Sequence, residues 1–485
     1  MNIQEYINLL PDDRDTILLD NTELTELLDL SRFTNLKILC CNENKLTSIP
    51  VIPTLYYLYC GHNKLTSIPK LPNLKYLFCH DNKLTSIPEL PNLENLNCMF
   101  NKLISIPTIP SLEVLCCGNN KLTSIPELPN LETLMCGNNR LTSISVLPNL
   151  TSLGCEHNKL TSIPVLPNLI TLECGHNQLT SIPIIPTLIN LWCTYNKLTS
   201  ISLLHNLTNL RCCNNQLTSI PVLPNLTKLW CTYNQLTSIP LLPNLTELRC
   251  CDNQLTSIPI LPNLTELWCT HNQLTSIPLL PNLTVLRCCN NQLTSIPILP
   301  NLTELWCTHN QLTSIPELPN LTKLRCNHNQ LITIPKLPYL KILDCGHNQM
   351  TNIPVLINLE VLGCQCNQIS YIPILPKLLH LYCIYNPICD IMNDYYIYPS
   401  NFNANSISHS EGFNKIYPIA NFHTLNEQIH RFRELYYTIK WSKHFMNILW
   451  DRIRRPKLEA QYHPDKLVQF IEEHTQDWDM KLEEW

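Results

Sequence analysis

Glycine is scarce in this 485-residue chain, with eight residues against 38 prolines. A flexible low-complexity linker needs the reverse balance, so the backbone is expected to be stiff and punctuated by proline. Charge is scarce too. Charged residues make up 15%, and a formal net charge of −5 is too small to draw nucleic acid or a membrane surface by bulk electrostatics. No run of 18 apolar residues occurs, which removes an ordinary transmembrane helix. Met1 to Asp20 holds no basic cluster followed by an apolar core, so no secretory signal is read there and an intracellular, non-secreted protein is expected. Catalytic signatures are missing as well: no Walker-type glycine loop, no H-E-x-x-H and no G-x-S-x-G. The expectation is a non-enzymatic protein with no cofactor and no metal.

What the chain has is repetition. One unit, roughly L-P-N-L-T-x-L-x-C-x-x-N-x-L-T-S-I-P-x, recurs in nineteen copies with no insertion or deletion. Its Asn returns at one constant interval, as at Asn44, Asn63, Asn82, Asn196, Asn272 and Asn386. A Cys stands three positions before each, as at Cys41, Cys60, Cys79, Cys193, Cys269 and Cys383. A regular array of this kind grows by stacking units over one shared core, so the usual count of domains from length does not apply.

The motif resembles the leucine-rich-repeat family, whose core is L-x-x-L-x-L-x-x-N-x-L. Leu36, Leu39, Cys41, Asn44 and Leu46 fill it in the first clear copy, and Leu264, Leu267, Cys269, Asn272 and Leu274 in a central one. The T-S-I-P continuation looks like the short repeats of bacterial effector proteins. Two departures stand out: Cys replaces the third core leucine throughout, and the unit is shorter than usual for the family. The resemblance covers about residues 17 to 390. It implies a parallel β-sheet solenoid, with each ladder Asn bonding backbone groups of adjacent turns and a partner-binding concave face.

Physical chemistry points the same way. A strand of three or four residues cannot bury its apolar face alone, so turns must stack into a long parallel sheet. Strands about 4.8 Å apart over the repeats predict a rod roughly 85 Å long. The paired prolines, such as Pro50 and Pro53, fix φ and remove donors, so the convex arm should be extended or polyproline-like, not helical. The expected organisation is an N-terminal cap over 1–30, the solenoid over 31–390, a linker or irregular cap over 391–423, and an α-helical segment over 424–485. Within the last, Arg454 to Leu467 looks like a tail seen in proteins of giant amoebal DNA viruses, implying a viral protein acting in host cytoplasm.

The 26 Cys invite chemical readings: metal binding, redox sensing or a disulfide zipper. Each ladder Cys stands alone in its strand among Leu, without His at a zinc-finger spacing, so the ladder reads as apolar packing by reduced thiols. Eight Asn-Leu-Thr sequons between Asn149 and Asn320 read likewise as repeat residues, not glycosylation sites. His residues before the ladder Asn lie along one rim, too spread for a compact metal site except at neighbouring pairs such as His309 and His328.

Function is sought at the outward residue between Leu and Cys, which stacking leaves free. It varies from Cys40 to Glu173 and then alternates strictly: Trp192, Arg211, Trp230, Arg249, Trp268, Arg287, Trp306 and Arg325. Trp and Arg dominate protein-binding hot spots, so a protein or peptide partner is expected on this stripe. Copying of a two-repeat block would also produce the regularity. Single-stranded nucleic acid could stack on such a ladder, though Glu247, Glu266 and Glu304 beside the arginines disfavour phosphate. An effector-type ubiquitin ligase needs a nucleophilic cysteine in a catalytic domain, and no Cys follows Cys389.

Overall fold

The computed structural model describes residues 7–27, 29–390 and the pair 417–418. The chain divides into two compact units, one ending at Asn272 and the other beginning at Gln273. The first holds β1 (Thr16–Leu18) to β14 (Glu266–Trp268), and the second holds β15 (Val285–Arg287) to β20 (His380–Tyr382). Each of these strands has three residues and pairs in parallel with its neighbours within its unit. From β2 (Ile38–Cys40) onward the register is one repeat: Tyr57 faces Tyr76, Leu58 faces Leu77 and Tyr59 faces Phe78. The strand Thr16–Leu18 lies inside the segment expected as a cap and already pairs with Ile38–Cys40.

Strand shortness follows from the sequence. Only the residue before the central Leu, that Leu and the residue after it can be extended before the ladder Asn turns the chain. Alternation then sends the Leu inward and its two neighbours outward. In the turn around residue 230, Leu226, Leu229, Cys231, Leu236, Ile239 and Leu242 are all buried, with exposures from 0% to 5%. The return arm carries no helix: two prolines exclude it in most turns, and the arm from Ile201 to His205, which has none, follows the same course. Described helix is confined to residues 7–9 and to Pro387–Asp390 after the last ladder Asn. A two-residue strand, Tyr417–Pro418, runs antiparallel to His380–Leu381, within the segment expected to be irregular. The helical segment expected over 424–485, with its virus-like stretch, lies outside the described residues.

The ladder Asn ties consecutive turns together. The side-chain Oδ1 of Asn177 accepts from Leu160 N–H of the turn before at 2.9 Å. Its Nδ2 donates to Cys155 O of that turn at 3.0 Å, and to Cys174 O and Gly175 O of its own turn at 3.1 and 3.2 Å. One buried amide thus satisfies the Leu160 N–H, which would otherwise be enclosed bare, and shares carbonyls of two turns with neighbouring donors. The residue before each ladder Asn adopts a left-handed backbone, with φ from 51° at His62 to 57° at Tyr385. Asn, Asp and His tolerate this region better than most residues, yet Phe100, Tyr195, Tyr233 and Cys366 occupy it too.

A second ladder runs outside the first. Exposed Asn244 donates its Nδ2 to Pro224 O at 2.8 Å, and Thr246 its hydroxyl to Thr227 O at 3.0 Å. These are sequon residues, so the carboxamides that a glycan would need are bound into contacts between turns.

Two outcomes test the ladders. Asn177→Ala leaves the Leu160 N–H of the preceding turn unpaired, while Cys155 O keeps the amide of Asn158, and should cost about 1–3 kcal/mol, read as a lower urea midpoint. All nineteen ladder cysteines are buried, and burial pushes thiols such as Cys60, Cys155 and Cys250 well above their ordinary range. They should stay silent to a thiol reagent in the native protein. After denaturation without reductant the titration should reach all 26; a large shortfall would expose disulfides.

Candidate functional site

Each strand presents two outward residues, flanking its central Leu, and stacking converts them into two parallel columns. The third strand residue supplies the Trp/Arg column, and all eight of its members are half-buried. In the first unit the Arg211 guanidinium lies over Trp192 at 4.6 Å and over Trp230 at 3.9 Å. Arg249 lies over Trp230 at 4.2 Å and over Trp268 at 3.9 Å. In the second unit Arg287 and Arg325 lie over Trp306 at 3.8 and 4.4 Å. Cations are therefore sandwiched between indoles, and Trp230 and Trp306 each carry a guanidinium on either side. Each such contact is worth about 0.5–2 kcal/mol, the more so as water is excluded.

The first strand residue supplies counter-charges. Glu247 sits 2.8 Å from Arg249 Nε and accepts the Trp230 indole N–H at 2.7 Å, while Arg249 Nη2 reaches Glu266 at 3.0 Å. Arg287 gives Nε and Nη2 to one oxygen of Glu304, at 3.1 and 2.8 Å, and Lys323 lies 3.7 Å from the other. The stripe is a surface whose rings and guanidiniums are held by stacking and by carboxylates before anything binds.

The sequence showed the alternation, and the structure adds three features beside it. Tyr57 stacks on Tyr76 at 4.5 Å and Tyr59 on Phe78 at 4.8 Å, making an aromatic patch near the N-terminal end of the first unit. Its signal, aromatic pairs one repeat apart in both outward columns, was present but not periodic. Farther along, Asp344 is 9% exposed and accepts from Asn327 Nδ2 at 2.6 Å. Burial pushes its carboxyl up, and the Asn327 hydrogen bond and Arg325 oppose that. Its neighbour across the sheet is Gly363, where a Cβ would come within 2.8 Å of Asp344 Oδ1, so only glycine leaves room for the buried acid.

The third feature is on the rim. His309, His328 and His347 form a column of stacked rings at 4.1 Å spacing, and His157, His176 and Tyr195 form another at 4.0 and 4.2 Å. Rings stacked face to face do not converge their nitrogens on one point. Among the described residues no group of three or more His, Cys, Asp or Glu is placed to hold a metal ion. Nor is any described helix long and apolar enough to cross a membrane.

Comparison with known proteins places this geometry. A family model described as leucine-rich repeats in two copies matches residues 53–92, 72–111, 110–149, 148–187, 205–243, 243–282 and 281–320. Among solved structures, YopM from Yersinia enterocolitica is 29% identical, with a TM-score of 0.70 over 79% of this chain and 94% of that one. The functional domain of InlJ from Listeria monocytogenes, which also includes a cysteine ladder, is 26% identical with a TM-score of 0.51, over 72% and 75% of the two chains. The Arabidopsis receptor kinase HAESA, solved with a peptide hormone and a co-receptor, shares the fold at 24% identity and a TM-score of 0.52, over 76% and 82%. No curated protein matches the chain.

The histidine column carries a pH prediction. Burial first, then the neighbouring His309 and His347, push His328 down to about 4. A histidine held neutral when folded, but free to take a proton near pH 6.5 when unfolded, lends stability fully present above that pH. This stability is lost as pH falls from about 6.5 toward 4. His328→Asn keeps a side chain suited to the left-handed backbone and should flatten the decline of the urea midpoint between pH 7 and 4. An unchanged slope would show that the column does not titrate this way.

Proposed function

Because the chain belongs to the leucine-rich-repeat family, a fold of protein-interaction scaffolds, we propose that it binds a protein or peptide partner on the outward face of its sheet, with the Trp/Arg stripe as the principal contact. The observation that carries this reading is the pre-assembly of the stripe. Trp192, Trp230, Trp268 and Trp306 and the arginines between them are only half-buried, yet sandwich stacking and the Glu247, Glu266 and Glu304 carboxylates restrain them. Ordering large side chains at an interface costs about 0.5–1.5 kcal/mol each, and here that ordering is already done. Trp and Arg anchors of this kind carry most of the energy in measured interfaces.

The same stacking argues against single-stranded nucleic acid. Bases need open aromatic faces, whereas guanidiniums lie over the Trp230 and Trp306 faces and carboxylates line the flank. An intracellular, reducing setting suits the twenty-five described cysteines, all of them free thiols.

The test is affinity capture from cell lysate with three baits: the unaltered chain, Trp230→Ala/Trp268→Ala/Trp306→Ala, and a return-arm control, Ser219→Ala/Ser238→Ala. The tryptophan variant should keep its far-ultraviolet circular dichroism and lose the partner, at about 2 kcal/mol or more per anchor. The control should keep it. Equal capture by all three baits would refute the stripe as the binding surface.

A further inference from the structure

The return arm carries a surface of its own. The residue after the first proline position of each turn points to solvent, away from the sheet. From Val146 to Ile260 it is aliphatic in seven successive turns of the first unit: Val146, Val165, Ile184, Leu203, Val222, Leu241 and Ile260, between 46% and 65% exposed. On the N-terminal side the same position holds Val51, then Lys70, Glu89, Thr108 and Glu127, all exposed.

Duplication alone does not account for this row. The adjacent Thr-Ser-Ile triplet is copied unchanged through most of these turns, so copying preserves identity where it acts. At the exposed position identity drifts among Val, Ile and Leu while the chemistry stays branched and aliphatic. An exposed site that varies freely would admit Lys, Thr or Glu, as it does at Lys70, Thr108 and Glu127. Exposed prolines flank most of the row, as at Pro167, Pro186, Pro224 and Pro243, and widen the apolar strip. Monomeric proteins rarely leave so long a contiguous apolar strip in water.

We infer that this ridge is a self-association face, by which two copies of the chain pair return arm to return arm. The seven side chains offer no charge and no hydrogen-bonding group, so whatever covers them is recognised by apolar burial and shape alone. The occupant must be equally apolar and straight over roughly 30 Å, taking strand spacing as the step. A second copy of the ridge, related by a two-fold axis, meets both conditions with no further requirement on sequence. At about 100 Å² of exposed surface each, seven aliphatic side chains with the flanking prolines approach the ~800 Å² per partner of a stable interface. Glu127 borders the row on its N-terminal side.

The test is sedimentation velocity of the full chain from about 1 to 100 μM, beside Val165→Lys/Leu203→Lys/Leu241→Lys. The unaltered chain should sediment at twice its 56.0 kDa mass, and the lysine variant as a monomer of unchanged circular dichroism, with association weakened at least a hundredfold. Val165→Ser/Leu203→Ser/Leu241→Ser removes apolar surface without adding charge. It should weaken pairing at least tenfold and serves in the same way if the lysine variant misfolds. An unaltered chain that stays monomeric throughout, whether or not it binds phosphatidylcholine vesicles, overturns the inference. So does a dimer that survives either substitution set.

Discussion

The whole array rests on a buried carboxamide. A short turn whose strand has only three residues leaves most of its backbone outside the sheet, where some of its polar groups must be enclosed. The ladder Asn answers this with one acceptor and one amino group, spent on the N–H of the preceding turn and on carbonyls of two turns. Because the donor–acceptor set is fixed by geometry, the distance from strand to Asn is held constant from turn to turn. The length of the turn is not fixed by it: Asn44 bonds Leu24 N–H and Leu19 O across a first turn three residues longer than the rest. The Leu, Ile and Cys core fills the cross-section of each turn.

Much of that frame was readable from residue order. The constant repeat period, the inward Leu and Cys, the extended proline arm and the alternating stripe all follow from spacing and from rules of strand geometry. Other features were hidden for physical reasons. The outer Asn and Thr ladder depends on where the next turn puts its carbonyl, as Asn244 shows by reaching Pro224. Phe100 and Tyr233 carry no hint of a left-handed backbone in their side chains; their neighbours force it on them. Asp344 stands at an outward strand position, and its burial depends on the glycine opposite it, which leaves the space that encloses the carboxyl. The stripe was visible as a pattern, yet its degree of internal satisfaction was not, since Glu247 and Glu304 act one turn away from where sequence places them.

The two candidate surfaces differ in kind. On the sheet side, specificity would come from rings and ions fixed in place, and the stabilising contacts within the stripe compete with those a partner could make. On the return arm there is nothing to fix: short branched side chains have few rotamers and no polar demand. The first surface suits selective recognition and the second suits extended contact. Leucine-rich-repeat architecture permits both at once because the outward residues of the strand and of the return arm are independent of the core and of each other.

Alternation gives the stripe a parity. Excise one turn between Trp192 and Trp268, and two indoles or two guanidiniums become neighbours; excise two, and every cation again lies between rings. The core is indifferent to the number of turns, since each is bounded by identical Leu, Cys and Asn. A chain that can lengthen or shorten by any whole turn in its interior can therefore do so on its surface only in pairs. The unit that such a protein can gain or lose without disturbing its stripe is a double turn, twice the unit that folds.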